Sequence, residues 1–243
     1  AMSYLPCAAA RLLLRSQTQS ASQPTGYDIA KRAHDNNAGY GGERFHSQMD
    51  LYDAKGSRVV SYELTTFNRE HTKDGEGMTR SLVRFDGPPD TKGTALLTYE
   101  EPGGDERRWL YLSETRRVKQ LGSGSKSASL KGSEASYEDM AVETLDKYSY
   151  RLLGVHRLGK RLTWKVESKP KFADSGYSRK VTYYDKERGY PLKVEYYDRA
   201  NRQRKVMLVK GYTQVKGKLR PGLSQITNIQ TKRMFTHAQL QRR

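Results

Sequence analysis

The sequence predicts a mainly β protein of the α+β class, built on one curled antiparallel sheet. Short apolar runs rich in β-branched and aromatic residues recur along the chain, as at 82–85, 95–99 and 109–112, and runs of this length are typical of strands. Gly, Pro, Asp and Asn separate these runs, which is the chemistry of hairpin turns. Only 35% of the residues are hydrophobic, as expected for a sheet with one covered face and one wet face.

The predicted elements follow from alternation and from capping residues. Thr25 is a candidate N-cap for a short amphipathic helix over 25–36, and Ser136 is one for a second helix over 137–147, whose first turn is acidic. Alternation of apolar and polar residues predicts strands over 45–52, 59–69, 82–85, 95–99, 109–112, 148–158, 162–168, 178–185, 192–198, 205–212 and about 226–235. A meander of this length must curl to cover its apolar face.

The domain organisation is expected to be a leader at 1–24 followed by one folded domain at 25–243. The apolar run at 4–14 is interrupted by Arg11 and followed by small polar residues. This pattern fits a degenerate or truncated export signal, and a disordered leader is the alternative. No run approaches eighteen apolar residues, so no membrane-spanning helix is predicted.

Positive charge dominates the surface chemistry. The chain has 44 Lys and Arg residues against 27 Asp and Glu, a formal net charge of +17. Such a chain is attracted to nucleic acid, to an anionic membrane surface or to an acidic protein, although basic character alone also serves solubility. The basic clusters fall mostly at predicted turns, and the candidate residues for docking to a partner or membrane are Arg107, Arg108, Arg116, Arg117 and Lys119.

No motif for catalysis, metal binding or cofactor binding stands out. The five histidines are isolated in sequence, and neither an H-E-x-x-H pair nor a Gly-x-Ser-x-Gly elbow occurs. The small-residue run at 121–132 lacks the second Gly of a phosphate-binding loop, because Ser125 stands in its place. We therefore expect a protein that is not an enzyme and that has no metal and no cofactor.

Several predicted strands have one apolar face that the sheet should cover. Alternation alone does not decide whether these faces form a packed core or line a ligand cavity. The candidate cavity residues are Val83, Phe85, Leu97, Tyr99, Leu110, Leu112, Trp164, Val166, Leu192, Val194, Tyr196 and Leu208.

An ordered series of motifs resembles the outer-membrane lipoprotein-sorting (LolA-like) family, and in particular its branch associated with RND-type exporters. The motifs are RF at 84–85, PDTKG at 89–93, WLYL at 109–112, RRV at 116–118, KGSEASYED at 131–139, PLKVEYYD at 191–198 and TNIQT at 227–231. Ser113 and Glu134 depart from the family's usual Pro and Asp, which bears on a local turn and a helix cap rather than on the fold.

The resemblance implies a half-open β-barrel whose concave side is plugged by helices. It also implies a periplasmic carrier that binds lipid or the acyl chains of a lipoprotein and works with an inner-membrane RND-type transporter. A basic nucleic-acid-binding β domain is the alternative, since basic strands that carry Tyr can stack bases. The absence of an RNA-recognition signature and the position of the basic clusters at turns disfavour nucleic acid.

Overall fold

The computed structural model describes residues 23–73, 76–100, 106–122, 133–136, 138–139, 144–215 and 217–240. In these ranges it contains one α-helix, α1 (Gly26–Asn37), and fifteen strands. The strands are β1 (Gly42–Tyr52), β2 (Arg58–Lys73), β3 (Glu76–Gly87), β4 (Ala95–Glu100), β5 (Glu106–Leu112), β6 (Arg117–Leu121), β7 (Tyr148–Leu158), β8 (Arg161–Pro170), β9 (Tyr177–Asp185), β10 (Pro191–Asp198), β11 (Gln203–Val209), β12 (Tyr212–Val215), β13 (Lys218–Pro221), β14 (Leu223–Asn228) and β15 (Met234–Leu240).

Thirteen of these strands form one antiparallel sheet, which confirms the predicted fold class. The order is β6-β5-β4-β3-β2-β1-β15-β14-β11-β10-β9-β8-β7. Strands β6 and β7 are the two edges, so the curled sheet does not close on itself. Strands β12 and β13 form a separate hairpin. We call the face that carries α1 and the cavities described below the inner face, and the opposite one the outer face.

Helix α1 begins where its capping chemistry predicts. Asp28 N donates to Thr25 Oγ1 at 3.1 Å, and Thr25 N donates to Asp28 Oδ2 at 2.9 Å, so each residue satisfies a backbone donor of the other. Gly26 lies against strand β7, and a Cβ there would be 2.8 Å from Leu152 N. Ile29 and Ala30 are buried against Val166 of the sheet, which fixes α1 on the inner face.

The remainder of α1 is held by the loop between β9 and β10. Arg32 Nη2 donates to Glu187 O at 2.6 Å, and Asn36 Nδ2 donates to Arg188 O at 3.1 Å. Gly189 follows with a φ of +75°, a conformation that glycine adopts at little cost. The loop can therefore turn closely under the helix.

We expect Gly189→Ala to destabilise the protein more than Gly56→Ala does. Both residues have positive φ, so both changes carry a cost of about 1 kcal/mol. A Cβ at Gly189 would also lie 2.9 Å from Arg32 Nε and 3.0 Å from Asn36 Nδ2, whereas at Gly56 it meets nothing within 4 Å. Disturbing those hydrogen bonds should add about 1 kcal/mol. Urea unfolding of both variants measures the difference, and equal losses would contradict the proposed docking of α1.

Three elements differ from the sequence-based prediction. The single final strand over 226–235 is two strands, β14 and β15, because Asn228 Oδ1 accepts from Gln230 N and Thr231 N and turns the chain. Strand β6 and the β12–β13 hairpin were not predicted, since both are short and polar.

The second predicted helix is only partly within the described residues. Its cap is present, since Ser136 N donates to Asp139 Oδ2 at 2.7 Å and Asp139 N donates to Ser136 Oγ at 3.3 Å. Thr144 is extended and residues 145–147 form a 3-10 turn. The helix therefore does not run continuously to Lys147 as predicted. The predicted leader lies almost wholly outside the described residues and stays a prediction.

Candidate functional site

Among the residues that the structure describes, two cavities of the inner face bear on function. The larger, of about 420 Å³, lies between α1, strands β9–β11 and the β12–β13 hairpin. The smaller, of about 200 Å³, lies over strands β1–β5 and β15. Asn37, at the C-terminal end of α1, lines both. We call them the large cavity and the small cavity.

The floor of the large cavity follows from strand register. Val194 lies directly opposite Thr182 on β9 and Met207 on β11, and residues directly opposite in antiparallel strands share a face. Tyr184 and Tyr196 share this face by alternation and line the same cavity. Helix α1 contributes Ala30 and Ala33, and the β12–β13 hairpin contributes Tyr212, Leu219 and Pro221.

A buried lysine and a buried aspartate are paired beside the large cavity. Lys205 Nζ lies 2.8 Å from Asp139 Oδ2 and donates to Tyr177 Oη at 2.8 Å, while Tyr177 Oη donates to Asp139 Oδ1 at 2.7 Å. The two charged side chains are 3% and 1% exposed. Burial opposes ionisation of Asp139, but the Lys205 charge and the hydrogen bonds hold its pKa below the ordinary value. Burial and the adjacent Asp139 carboxylate raise the pKa of Tyr177.

This network secures Asp139 over the inner face. The neighbouring Glu138 is also satisfied, since its Oε1 accepts from Ser175 Oγ at 2.6 Å and its Oε2 accepts from Gly176 N at 2.8 Å. Asp139 and Glu138 both line the large cavity. Two carboxylates can therefore stand at the wall of an otherwise largely apolar space because each has protein partners.

Lys180 brings a second buried ammonium group to the large cavity. Its Nζ donates to Tyr148 Oη at 3.4 Å and lies 4.9 Å from the centre of that ring. Lys180 is buried and lines the cavity. The wall is thus amphipathic, with an apolar floor and polar groups at one side.

Arg220 joins the β12–β13 hairpin to the rest of the fold. Its Nε donates to Glu43 Oε2 at 3.1 Å, its Nη1 donates to Asn37 Oδ1, and its Cζ lies 5.0 Å from the ring centre of Tyr40. Both side chains of the Arg220–Glu43 pair are 8% exposed. The hairpin is therefore secured across the large cavity by a charged contact to β1 and a polar contact to α1.

The small cavity has an apolar end and a charged end. Leu64, Val83, Phe85 and Leu96 line the apolar end, and the charged end contains Glu100, Glu106 and Arg108. Burial raises the pKa of Glu100.

His237 also lines the small cavity. Desolvation lowers its pKa to about 4, so the imidazole is neutral at pH 7.

Some of the predicted cavity residues lie at cavities or under α1. Val83 and Phe85 line the small cavity, and Val194 and Tyr196 line the large one. Trp164 and Val166 pack with the buried residues of α1. Leu110 lies opposite Leu96 on the inner face, and Leu112 shares that face by alternation.

Other predicted cavity residues lie elsewhere. On β4 the residues at the small cavity are Leu96, Thr98 and Glu100, so Leu97 and Tyr99 point to the outer face. A register shift between Pro191 and Lys193 separates Leu192 from Val194, and Leu192 lines a different depression together with Leu208. Met207 takes the inner position on β11.

Of the five predicted docking residues, four are exposed and one is buried. Arg116, Arg117 and Lys119 are exposed at the β5–β6 turn and along edge strand β6. Arg107 is exposed and its Cζ lies 5.5 Å from the ring centre of Trp109. Arg108 is buried beside Glu106 in the small cavity, because alternation turns it inward.

Sequence reasoning did not single out Asp139, Tyr177, Lys205, Arg220 or His237 as interacting residues. Lys205 is two positions from Met207 on β11, so the two side chains lie on the same face of the strand. This alternation was the signal in the sequence that Lys205 points inward.

Neither a metal site nor a membrane-spanning helix is found in the described part of the chain. No group of three or more His, Cys, Asp or Glu side chains there could hold a metal ion. Among the same residues, no helix is both long enough and apolar enough to cross a bilayer.

Comparisons with known proteins agree on the fold. A protein-family model described as "Uncharacterized protein" matches residues 77–241. A domain assigned to outer membrane lipoprotein sorting, from Vibrio parahaemolyticus, is 29% identical with a TM-score of 0.83, over 89% of this chain and 90% of that one. A DUF1329 family protein from Desulfovibrio piger ATCC 29098 is 24% identical with a TM-score of 0.83, over 88% and 90%.

A more distant structure has the same fold. A LolA superfamily protein from Nitrosomonas europaea is 15% identical with a TM-score of 0.71, and the match covers 90% of this chain and 93% of that one. No curated protein matches the sequence.

Proposed function

Because the chain belongs to the family whose model covers residues 77–241 and has the fold of lipoprotein-sorting (LolA-like) domains, we propose that it is a periplasmic carrier. Its cargo is lipid or the acyl chains of a lipoprotein. The protein binds and shields the cargo and makes no covalent bond with it, so the role requires neither a catalytic residue nor a cofactor.

The large cavity is the observation that supports this proposal most. Its volume of about 420 Å³ falls in the range of small-molecule sites, whereas the small cavity is below that range. Each methylene that moves from water to an apolar wall contributes about 0.8 kcal/mol. An acyl chain over Val194, Tyr196 and Met207 would gain affinity in this way, without specific polar contacts.

The polar side of the large cavity suits the head of an amphiphile. Lys180, Tyr190 and Tyr212 line the same space as the apolar floor. An apolar pocket with a few polar groups at one side orients its ligand through those groups. We therefore place the acyl chain along the floor and the polar head toward Lys180.

An inner-membrane RND-type transporter is the proposed partner in cargo transfer. The proposal rests on the sequence resemblance, and the exposed cations of β5, of the β5–β6 turn and of β6 are the surface proposed to contact the transporter. These residues are Arg107, Arg116, Arg117 and Lys119. Their attraction to an acidic surface should weaken as salt is added.

The aromatic residues on the outer face are less suited to nucleic acid than the sequence alone indicated. Arg80, Arg107 and Arg179 already lie over the rings of Tyr99, Trp109 and Tyr197 at 4.7, 5.5 and 3.4 Å. Bases would have to compete with these contacts for the ring faces. This favours the carrier over a nucleic-acid-binding domain.

We expect Thr182→Phe to weaken binding of a fluorescent long-chain fatty acid at least tenfold. Thr182 lies in the wall of the large cavity, so a phenyl ring there occupies the space of the chain. Thr98→Phe is the matched control, because Thr98 lines only the small cavity. Probe titration gives the affinities, and mass spectrometry of an organic extract identifies co-purified lipid.

Three outcomes separate the alternatives. Loss of binding in Thr182→Phe alone supports the large cavity as the cargo site. Loss in Thr98→Phe alone moves the cargo to the small cavity. Unchanged binding in both variants, with no lipid in the extract, overturns the carrier proposal.

A further inference from the structure

The hairpin formed by β7 and β8 ends in an exposed apolar tip. Val155 and Leu162 are 49% and 45% exposed. Val155 lies opposite Trp164, and Leu162 lies opposite Arg157, so all four side chains share the inner face. Trp164 connects the tip to the buried cluster under α1. The apolar surface therefore continues from the core out to the end of the hairpin.

Cations surround this apolar tip. Arg157 and Lys160 are exposed, and among the residues that the structure describes neither has a carboxylate partner. Lys186 Nζ lies 4.0 Å from the ring centre of Trp164. The nearby Arg161 is paired with Asp185 at 2.6 Å, so it contributes less free charge. We call Val155, Arg157, Lys160, Leu162, Trp164 and Lys186 the tip patch.

Two features distinguish the tip patch from ordinary surface hydrophobicity. Single exposed apolar residues are common on proteins, and Val59 and Val118 are examples here. In the tip patch, two aliphatic side chains and a tryptophan are contiguous and stand beside three cations. The hairpin also includes β7, an edge strand of the sheet that the described residues form.

We propose that the tip patch docks the protein on the surface of an anionic phospholipid bilayer. Exposed aliphatic side chains can enter the boundary between headgroups and acyl chains. A tryptophan ring favours the headgroup level, and Lys and Arg bind the anionic headgroups at the leaflet surface. An acidic protein would match the cations, but it would also need a complementary apolar surface for Val155 and Leu162, whereas a bilayer offers both features everywhere. The proposal does not depend on the nature of the cargo.

The main test uses the full chain and vesicles with or without anionic lipid. We expect binding to vesicles of phosphatidylglycerol and phosphatidylcholine, weaker at high salt, and little binding to phosphatidylcholine alone. Val155→Thr with Leu162→Thr should weaken binding at least tenfold, and so should Arg157→Glu with Lys160→Glu. Val59→Thr with Val118→Thr is the matched apolar control, and Arg116→Glu with Arg117→Glu and Lys119→Glu is the charge control.

The control variants should bind within twofold of the wild type. All variants should bind the fluorescent fatty acid normally, so failure of the docking proposal and failure of the cargo proposal remain distinguishable.

A second measurement leaves the tip unchanged. In Trp109→Phe the only remaining tryptophan is Trp164, and its emission should shift to the blue on anionic vesicles and be quenched by brominated lipid.

Several results would overturn the proposal. They are equal binding to neutral vesicles, unchanged binding of both tip variants, and loss only in the β6-edge variant. An unshifted Trp164 emission would also overturn it. If the tip variants still bound vesicles but no longer bound an acidic protein, the tip patch would be assigned to a protein partner instead.

Discussion

Lys205→Met is expected to lower the free energy of unfolding by about 3–5 kcal/mol, because it leaves the Asp139 carboxylate buried without its counter-charge. In a domain of this size the loss corresponds to a fall in Tm of about 6–20 °C. Methionine keeps most of the apolar stem of lysine, so lost packing contributes little. Urea unfolding at pH 7 measures the change.

Two further variants distinguish loss of charge pairing from loss of packing. Lys205→Met with Asp139→Asn removes both charges and should be more stable than the sum of the two single changes predicts. Lowering the pH should also shrink the loss in Lys205→Met. Lys205 holds the pKa of Asp139 down in the wild type, so in the variant this carboxylate takes up a proton more readily and loses its unpaired charge. A loss below about 1 kcal/mol, or one that does not depend on pH, would contradict the assigned role of the pair.

The pairing of consecutive strands could be predicted from the sequence because the interactions that determine it are local, whereas the pairing of β1 with β15 joins distant parts of the chain. Turn residues separate the apolar runs, and consecutive strands pair as hairpins from β1 to β6 and from β7 to β11. Helix α1 was predictable for the same reason, since Thr25 and Asp28 cap it within one turn. The turn at Asn228 shows the limit of local reasoning, because one Asn divided an apparently continuous strand.

The choice of inner face could not be predicted by the same reasoning. A period of two defines two faces of a strand but does not say which one is covered. On β4 both faces carry large apolar side chains, with Leu96 inside and Leu97 and Tyr99 outside. At Leu192 a register shift moves one residue out of phase, and nothing in the local sequence marks that position.

The buried polar contacts were beyond reach because they join distant parts of the chain. Lys205 and Asp139 are 66 positions apart, and Arg220 and Glu43 are 177 apart. Lys, Asp, Arg and Glu are residue types that usually lie at the surface, so residue type alone does not indicate that these four are buried. The partners meet only in the folded protein, and no local pattern of residues records their approach.

His237 should make the protein less stable in acid. In the fold its pKa is about 4, against 6.5 for an unperturbed histidine. Between these two pH values the unfolded chain binds a proton that the folded protein does not bind, so stability falls as the pH falls. Above pH 6.5 the histidine is neutral in both states and does not reduce the stability of the fold. Below pH 6.5 the loss of stability grows until the pH reaches about 4. From pH 7 to pH 4.5 the loss should be about 2–3 kcal/mol, at 1.36 kcal/mol per pKa unit.

His237→Gln is the variant that isolates this contribution, because glutamine is polar and does not titrate. The carboxylates at the small cavity, including Glu43, Glu100 and Glu106, remain in both proteins, so to a first approximation their titration cancels in the comparison. At pH 7 the variant should show only a constant offset from altered packing. As the pH falls to 4.5, its stability relative to the wild type should rise by about 2–3 kcal/mol. Parallel stability curves over this range would mean that His237 titrates near its ordinary pKa and is open to water.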